Sequence, residues 1–92
     1  MNIIEQALKN ELQHAVKQAF SLELALEDII IEVPKLKEHG DYSTNIAMRL
    51  SKELKTSPRA IAQTIVENIE KQDHPFTKLE IAGAGFINMV VS

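Results

Sequence analysis

Cysteine is absent from this 92-residue chain, which excludes a disulfide framework and any thiolate-bound metal. The absence is compatible with the cytosol, and a cytoplasmic location is expected. Long apolar runs are missing too. None approaches the roughly 18 residues needed to span a bilayer, so no membrane partner is expected. No basic start followed by an apolar stretch opens the chain, so no signal peptide is expected. Internal repeats, low-complexity segments and long linkers are also lacking. Positive charge is scarce: the net charge is −3, which taken alone argues against nucleic acid as a partner.

What remains is enough for one modest core. With 45% hydrophobic residues, the chain is expected to form a single domain, 1–92. Its charge is uneven. Residues 33 to 60 hold six cationic side chains against three carboxylates, a local balance of +3 on a body that otherwise carries −6. Such a face can meet a phosphate backbone, and it equally suits the solvated side of a helical pair.

Periodicity divides the chain. Apolar residues at three- and four-residue spacing, from Ile3 and Ile4 through Leu8, Leu12 and Val16 to Phe20, predict a helix over 3–20. Asn2 is placed to cap it, with Glu5 as the reciprocal partner. Leu22, Leu24 and Leu26 fit no helical stripe, so 21–28 reads as a loop or short turn. Residues 29–33, IIIEV, are β-branched and stop at Pro34, which predicts a strand. A second helix is expected to use Asp41 as its cap and to run from Tyr42 to Leu54. Ser57 followed by Pro58 is a start signal for a third, with Ile61, Ala62, Ile65, Val66 and Ile69 facing inward. Alternation predicts a strand over 76–82 and another over 86–91, joined by a turn at Gly83 to Gly85. The expected fold class is α+β: a small mixed or antiparallel sheet of three or four strands, with three helices packed on one face, in the order αβααββ.

Two stretches bear on function. "GAGFIN", residues 83–88, has the glycine spacing that opens a dinucleotide-binding fingerprint, but Asn88 stands where that motif needs a third small residue. A hairpin connection is the expected role of the glycines. Period two then places Ile87, Met89 and Val91 on one face of the last strand and Phe86, Asn88 and Val90 on the other. If the helices cover the first face, Phe86 and Asn88 project together from the open one. An aromatic beside an amide can stack on a base and bond its edge; it can equally be a gap-filling ring beside ordinary strand polarity. "EHGDYSTN", residues 38–45, holds His39, Asp41 and Ser43. These are the residue types of a nucleophilic triad, yet three side chains within five residues rarely converge. A metal site is no better supported, because only His39 and Asp41 lie close in sequence. Asp41 as helix cap, with Ser43 and Thr44 in the first turn, is the expected arrangement.

The blocks "EVPKLKEHGDYSTNIAMRLSKELKTSPRAIAQTIVENI" and "LEIAGAGFINMVVS" together resemble the N-terminal domain of bacterial arginyl-tRNA synthetases, over nearly the whole chain. The resemblance implies an appendage ahead of a class I catalytic domain, contacting the D loop at the tRNA elbow. Phe86 and Asn88 match the family strand after the glycine turn, so they are expected to pack on and bond a D-loop base. Ala84 stands where the family usually has proline, which should loosen that turn slightly. Lys35, Lys37 and Lys78 are expected phosphate contacts, on charge and position only. The implied partners are tRNA(Arg) and the catalytic domain of the same polypeptide. The parent enzyme is expected to use ATP and Mg. No catalytic residue, cofactor or metal is expected in this domain: His39-Gly40 is not the class I signature, which lies downstream in the family. The competing expectation is a protein-docking module without nucleic-acid contact.

Overall fold

The computed structural model describes residues 2–91. Three helices and four strands follow in the order α1 (Ile3–Phe20), β1 (Ile31–Glu32), β2 (Tyr42–Thr44), α2 (Ile46–Leu54), α3 (Pro58–Glu70), β3 (Phe76–Ala82) and β4 (Phe86–Val91). The fold class is α+β, as expected. The sheet is antiparallel throughout, with strand order β1-β2-β4-β3.

Local signals set the helix ends. Asn2 Oδ1 accepts the Glu5 backbone N–H at 2.7 Å while its amide donates to Glu5 Oε2 at 2.7 Å, a reciprocal cap of α1. Ser57 Oγ accepts the Ala60 N–H at 3.3 Å, and Pro58 occupies the first turn of α3. The inward stripe of α3 is buried throughout. In α1 the stripe is shorter than its periodicity suggests: Leu8, Leu12, Ala15 and Val16 are buried, but Ile3 is 88% exposed. Leu22 and Leu24, from a segment without regular structure, and Leu26, at the start of a 3-10 turn over Leu26–Asp28, pack against the core without joining the sheet.

Two elements differ from the sequence expectation. The strand expected over 29–33 keeps only Ile31 and Glu32 in the ladder; Ile29 is buried and Val33 is exposed. The second helix does not begin at Tyr42. Tyr42–Thr44 form β2 instead, between β1 and β4. The cause is tertiary. Gly40, at φ +91°, runs so close to β4 that an added Cβ would sit 2.8 Å from the Met89 carbonyl oxygen. Next to it, the Asp41 N–H donates to that same carbonyl at 2.8 Å, and Asp41 Oδ2 accepts the Val91 N–H at 3.0 Å. Asp41 therefore caps a strand edge, not a helix. Chain held against β4 at two points continues along it, and ladder bonds outweigh a weak helical preference. Helix α2 then starts at Ile46, whose N–H donates to Thr44 Oγ1 at 3.3 Å. Asn45, at the cap position, makes no side-chain cap bond.

The helices cover one face of the sheet. Thr44, Ile87 and Met89 point into that layer with no solvent exposure, and join Ile46, Ala47, Ile61 and Ile65 in the core. The other face is open.

Candidate functional site

Register fixes the open face. Thr44 pairs with Ile87 and Ile81 with Ile87, so these positions share the buried face. The alternate positions therefore face outward. One row crosses all four strands: Glu32 opposite Ser43, Ser43 opposite Asn88, Asn88 opposite Glu80. Ala82 with Phe86, and Lys78 with Val90, form the flanking rows. The expectation that Phe86 and Asn88 share the open face holds.

Their exposure differs, however. Phe86 is 38% exposed, whereas Asn88 keeps only 7%. The two do not emerge side by side into water. Asn88 sits in a cleft of about 520 Å³ that is also lined by Pro34, Lys35, His39, Ser43 and Phe86. The wall comes from the chain between β1 and β2, folded back by Gly40 and Asp41. Asn88's carboxamide takes part in none of the side-chain hydrogen bonds among the described residues. It is an amide on a largely buried residue, and the fold leaves its bonding capacity unused.

A smaller lobe of about 200 Å³ adjoins, lined among others by Lys37, Glu38, Lys78, Glu80 and again Asn88. All five candidates from the sequence thus line one bipartite cleft: Phe86, Asn88 and Lys35 in the larger lobe, and Lys37 and Lys78 with Asn88 in the smaller. The lysines do not stand alone. Lys78 Nζ lies 3.9 Å from Glu80 Oε2. The two lobes together hold Lys35, Lys37 and Lys78 against Glu32, Glu38 and Glu80, so the cleft has no excess positive charge. What the cleft offers chemically is directional bonding and ring contact, not bulk electrostatic attraction.

The hairpin that presents Phe86 is firmly seated. Gly83 has φ +55°, and Arg59 donates to its carbonyl oxygen at 2.6 Å. Gly85, at φ +140°, abuts the start of α3, where an added Cβ would meet Pro58 Cβ at 2.7 Å. The turn therefore keeps its anchor on α3 with Ala84 in place of proline.

Sequence reasoning missed two lining residues, His39 and Ser43. Their chemistry was noticed, but as candidates for a triad with Asp41. The fold separates them: Asp41 spends an oxygen on the Val91 N–H, while His39 and Ser43 line the cleft. The alternation of Ser43 between Tyr42 and Thr44 carried the signal, masked by the helical reading of that segment. Among the described residues no group of three or more His, Cys, Asp or Glu could hold a metal ion. No described helix is long and apolar enough to cross a membrane.

These features define a small α+β domain that presents a polar, aromatic-edged cleft on the free face of its sheet. The protein-family model for the arginyl tRNA synthetase N terminal domain matches residues 6–91, and the chain belongs to that family. It is 46% identical over 96 residues to an arginine–tRNA ligase of Bacillus licheniformis, covering 100% of this chain and 17% of that protein. It is 48% identical over 95 residues to the arginine–tRNA ligase of Oceanobacillus iheyensis, covering 96% and 16%. The chain thus spans about a sixth of the relatives it matches. The arginyl-tRNA synthetase of Plasmodium falciparum superposes with a TM-score of 0.80 at 26% identity, over 100% of this chain and 16% of that one. The Thermus thermophilus arginyl-tRNA synthetase shares the fold, at a TM-score of 0.78 and 20% identity over 98% of this chain and 14% of that one.

Proposed function

We propose that this chain is the tRNA-docking domain of an arginine–tRNA ligase, and that its open-face cleft contacts the D loop at the tRNA elbow. The observation that supports this most is Asn88, a carboxamide 7% exposed with no bonding partner in the fold, beside an exposed Phe86. The Asn88 amide is not among the buried unpartnered side-chain atoms of the described residues, so it is open to a partner, and the edge of an unpaired base can take the place of water there. Phe86 packs on the base or its sugar. Lys35, Lys37 and Lys78 reach the flanking phosphates.

The mechanism is positional. Contacts at the elbow orient the acceptor end of tRNA(Arg) toward an active site elsewhere in the full-length polypeptide. There arginine is joined to tRNA with ATP and Mg, in the cytoplasm. This domain supplies no catalytic residue and holds no cofactor. Because the cleft's charges balance, the isolated domain binds tRNA with a Kd no tighter than about 10⁻⁴ to 10⁻⁵ M.

Phe86→Ala in the complete ligase tests the assignment. Loss of stacking should weaken the tRNA interaction by about 1–3 kcal/mol, with the catalytic domain untouched. Unchanged affinity removes Phe86 from the interface. A second reading has support from Val33 and Leu36, which are 71% and 53% exposed, Val33 lining the larger lobe with Phe86: apolar surface of that kind also suits a protein partner. Footprinting separates the two. D-loop protection by the complete ligase that disappears when residues 1–92 are deleted supports tRNA docking. Protection that persists favours the protein partner.

A further inference from the structure

The cleft has two lobes, and the same two side chains, His39 and Asn88, line both. His39 was not among the expected contacts. It closes a short 3-10 turn, Lys37–His39, with its own N–H donating to the Leu36 carbonyl at 3.0 Å. The next two residues, Gly40 and Asp41, are locked against Met89 and Val91 of β4. The backbone of His39 is thereby anchored on both sides, while its imidazole stays exposed and makes no hydrogen bond with the described residues. An imidazole with unused bonding capacity, carried on an anchored backbone, stands where the lobes meet.

Resting on the tRNA-docking reading, we infer that the cleft seats two consecutive unpaired nucleotides, one in each lobe, with His39 and Asn88 contacting the link between them. Three features converge on this. The larger lobe, about 520 Å³, falls within the usual range of about 300–1,000 Å³ for a small-ligand site, and the smaller continues it. Cationic side chains line both lobes, Lys35 in one and Lys37 and Lys78 in the other, so a backbone crossing from lobe to lobe meets a donor on each side. Finally, stacked neighbours in a strand lie about 3.4 Å apart, too close to straddle a partition of two side chains. The occupant must be splayed, as bases are in single-stranded loops, which is where proteins read RNA sequence.

The test uses the complete ligase and cognate tRNA transcripts carrying one abasic position at a time through the D loop. Two adjacent positions should each lose about tenfold or more in affinity. Phe86→Ala should cancel the loss at one of them. Val90→Phe, which fills the smaller lobe from the sheet's outer surface, should cancel the loss at the other. Val90→Leu, a smaller enlargement at the same position, serves the same purpose should Val90→Phe fold poorly. His39→Ala should weaken binding of intact tRNA, and His39→Gln should restore part of the loss. A single sensitive position, or two that are not neighbours, overturns the two-nucleotide seat and leaves the docking reading standing. Absence of any sensitive position, together with unchanged affinity in Phe86→Ala, overturns the docking reading itself. Unchanged affinity in His39→Ala removes His39 from the site.

Discussion

Replacing Gly40 by alanine should be far more damaging than its place in an exposed, charged loop suggests. The backbone at Gly40 has φ +91° and ψ −167°, a region that is essentially glycine-only and costs other residues on the order of 1–3 kcal/mol. Crowding adds to this. The new Cβ would lie 2.8 Å from the Met89 carbonyl oxygen and 3.2 Å from its carbon, backbone atoms of a central strand that cannot swing aside. Overpacking of that kind costs typically about 1–3 kcal/mol. The combined loss is roughly 2–6 kcal/mol, against a total of about 5–10 kcal/mol for a domain of this size. Gly83 provides the control. It has φ +55°, and a Cβ there would meet only Phe86 Cδ2 at 3.6 Å, so Gly83→Ala should cost about 1–2 kcal/mol from the backbone alone. Thermal or urea unfolding of the three chains reads the difference. A loss of 3 kcal/mol corresponds to a fall in Tm of roughly 12–24 °C at this chain length. If Gly40→Ala is no less stable than Gly83→Ala, the close approach to β4 is not there, and neither is the wall it gives the cleft.

Asp41→Ala should cost about 1.5–3 kcal/mol in urea unfolding, because the Val91 N–H loses a charged acceptor; a cost confined to α2 helicity, with the β4 amides unchanged in hydrogen exchange, would instead restore the helix-cap role. The two cap positions should behave oppositely. Ser57→Ala is expected to lose about 1 kcal/mol, while Asn45→Ala, which removes a buried Oδ1 with no partner, should be neutral or stabilising. The carboxyl of Glu23 is held below its ordinary value, chiefly by the hydrogen bond from Lys17 and then by its charge. A depressed carboxylate stabilises the fold above its unfolded-state pKa and loses that contribution as pH falls through the lowered value. Glu23→Gln should therefore flatten the acid limb of the stability profile slightly, by removing the small contribution present above the unfolded-state pKa and leaving stability at the acid end unchanged. Replacing Lys37 by alanine in the complete ligase should reduce the salt slope of tRNA binding by roughly 0.7–0.9 if it touches a phosphate, and an unchanged slope removes that contact.

Much of the scaffold was legible without coordinates, for a local reason. Caps such as Asn2 with Glu5 and Ser57 with Pro58 lie within one helical turn of their targets. The inward stripe of α3 repeats at three and four residues. The placement of Phe86 and Asn88 on one face follows from strand period alone. The burial of Asn88 was not legible, because the cleft it sits in is walled by Pro34, Lys35 and His39, far from it in sequence. Nor was the exposure of Ile3 and Ile4, since periodicity reports a stripe but not where the neighbouring layer stops.

Spacing and residue type alone determined the helical and extended segments at both ends of the chain, their caps, and the side of the last strand that carries an aromatic ring and an amide. Only the tertiary structure decided the fate of residues 40–44. Their local preference for helix is weak, and the Met89 carbonyl and Val91 amide of β4 offered stronger bonds. That long-range pairing turned a predicted helix start into a strand and moved Asp41 from a helix cap to a strand edge. It also brought His39 and Ser43 into the cleft beside Asn88, a residue of a strand far along the chain.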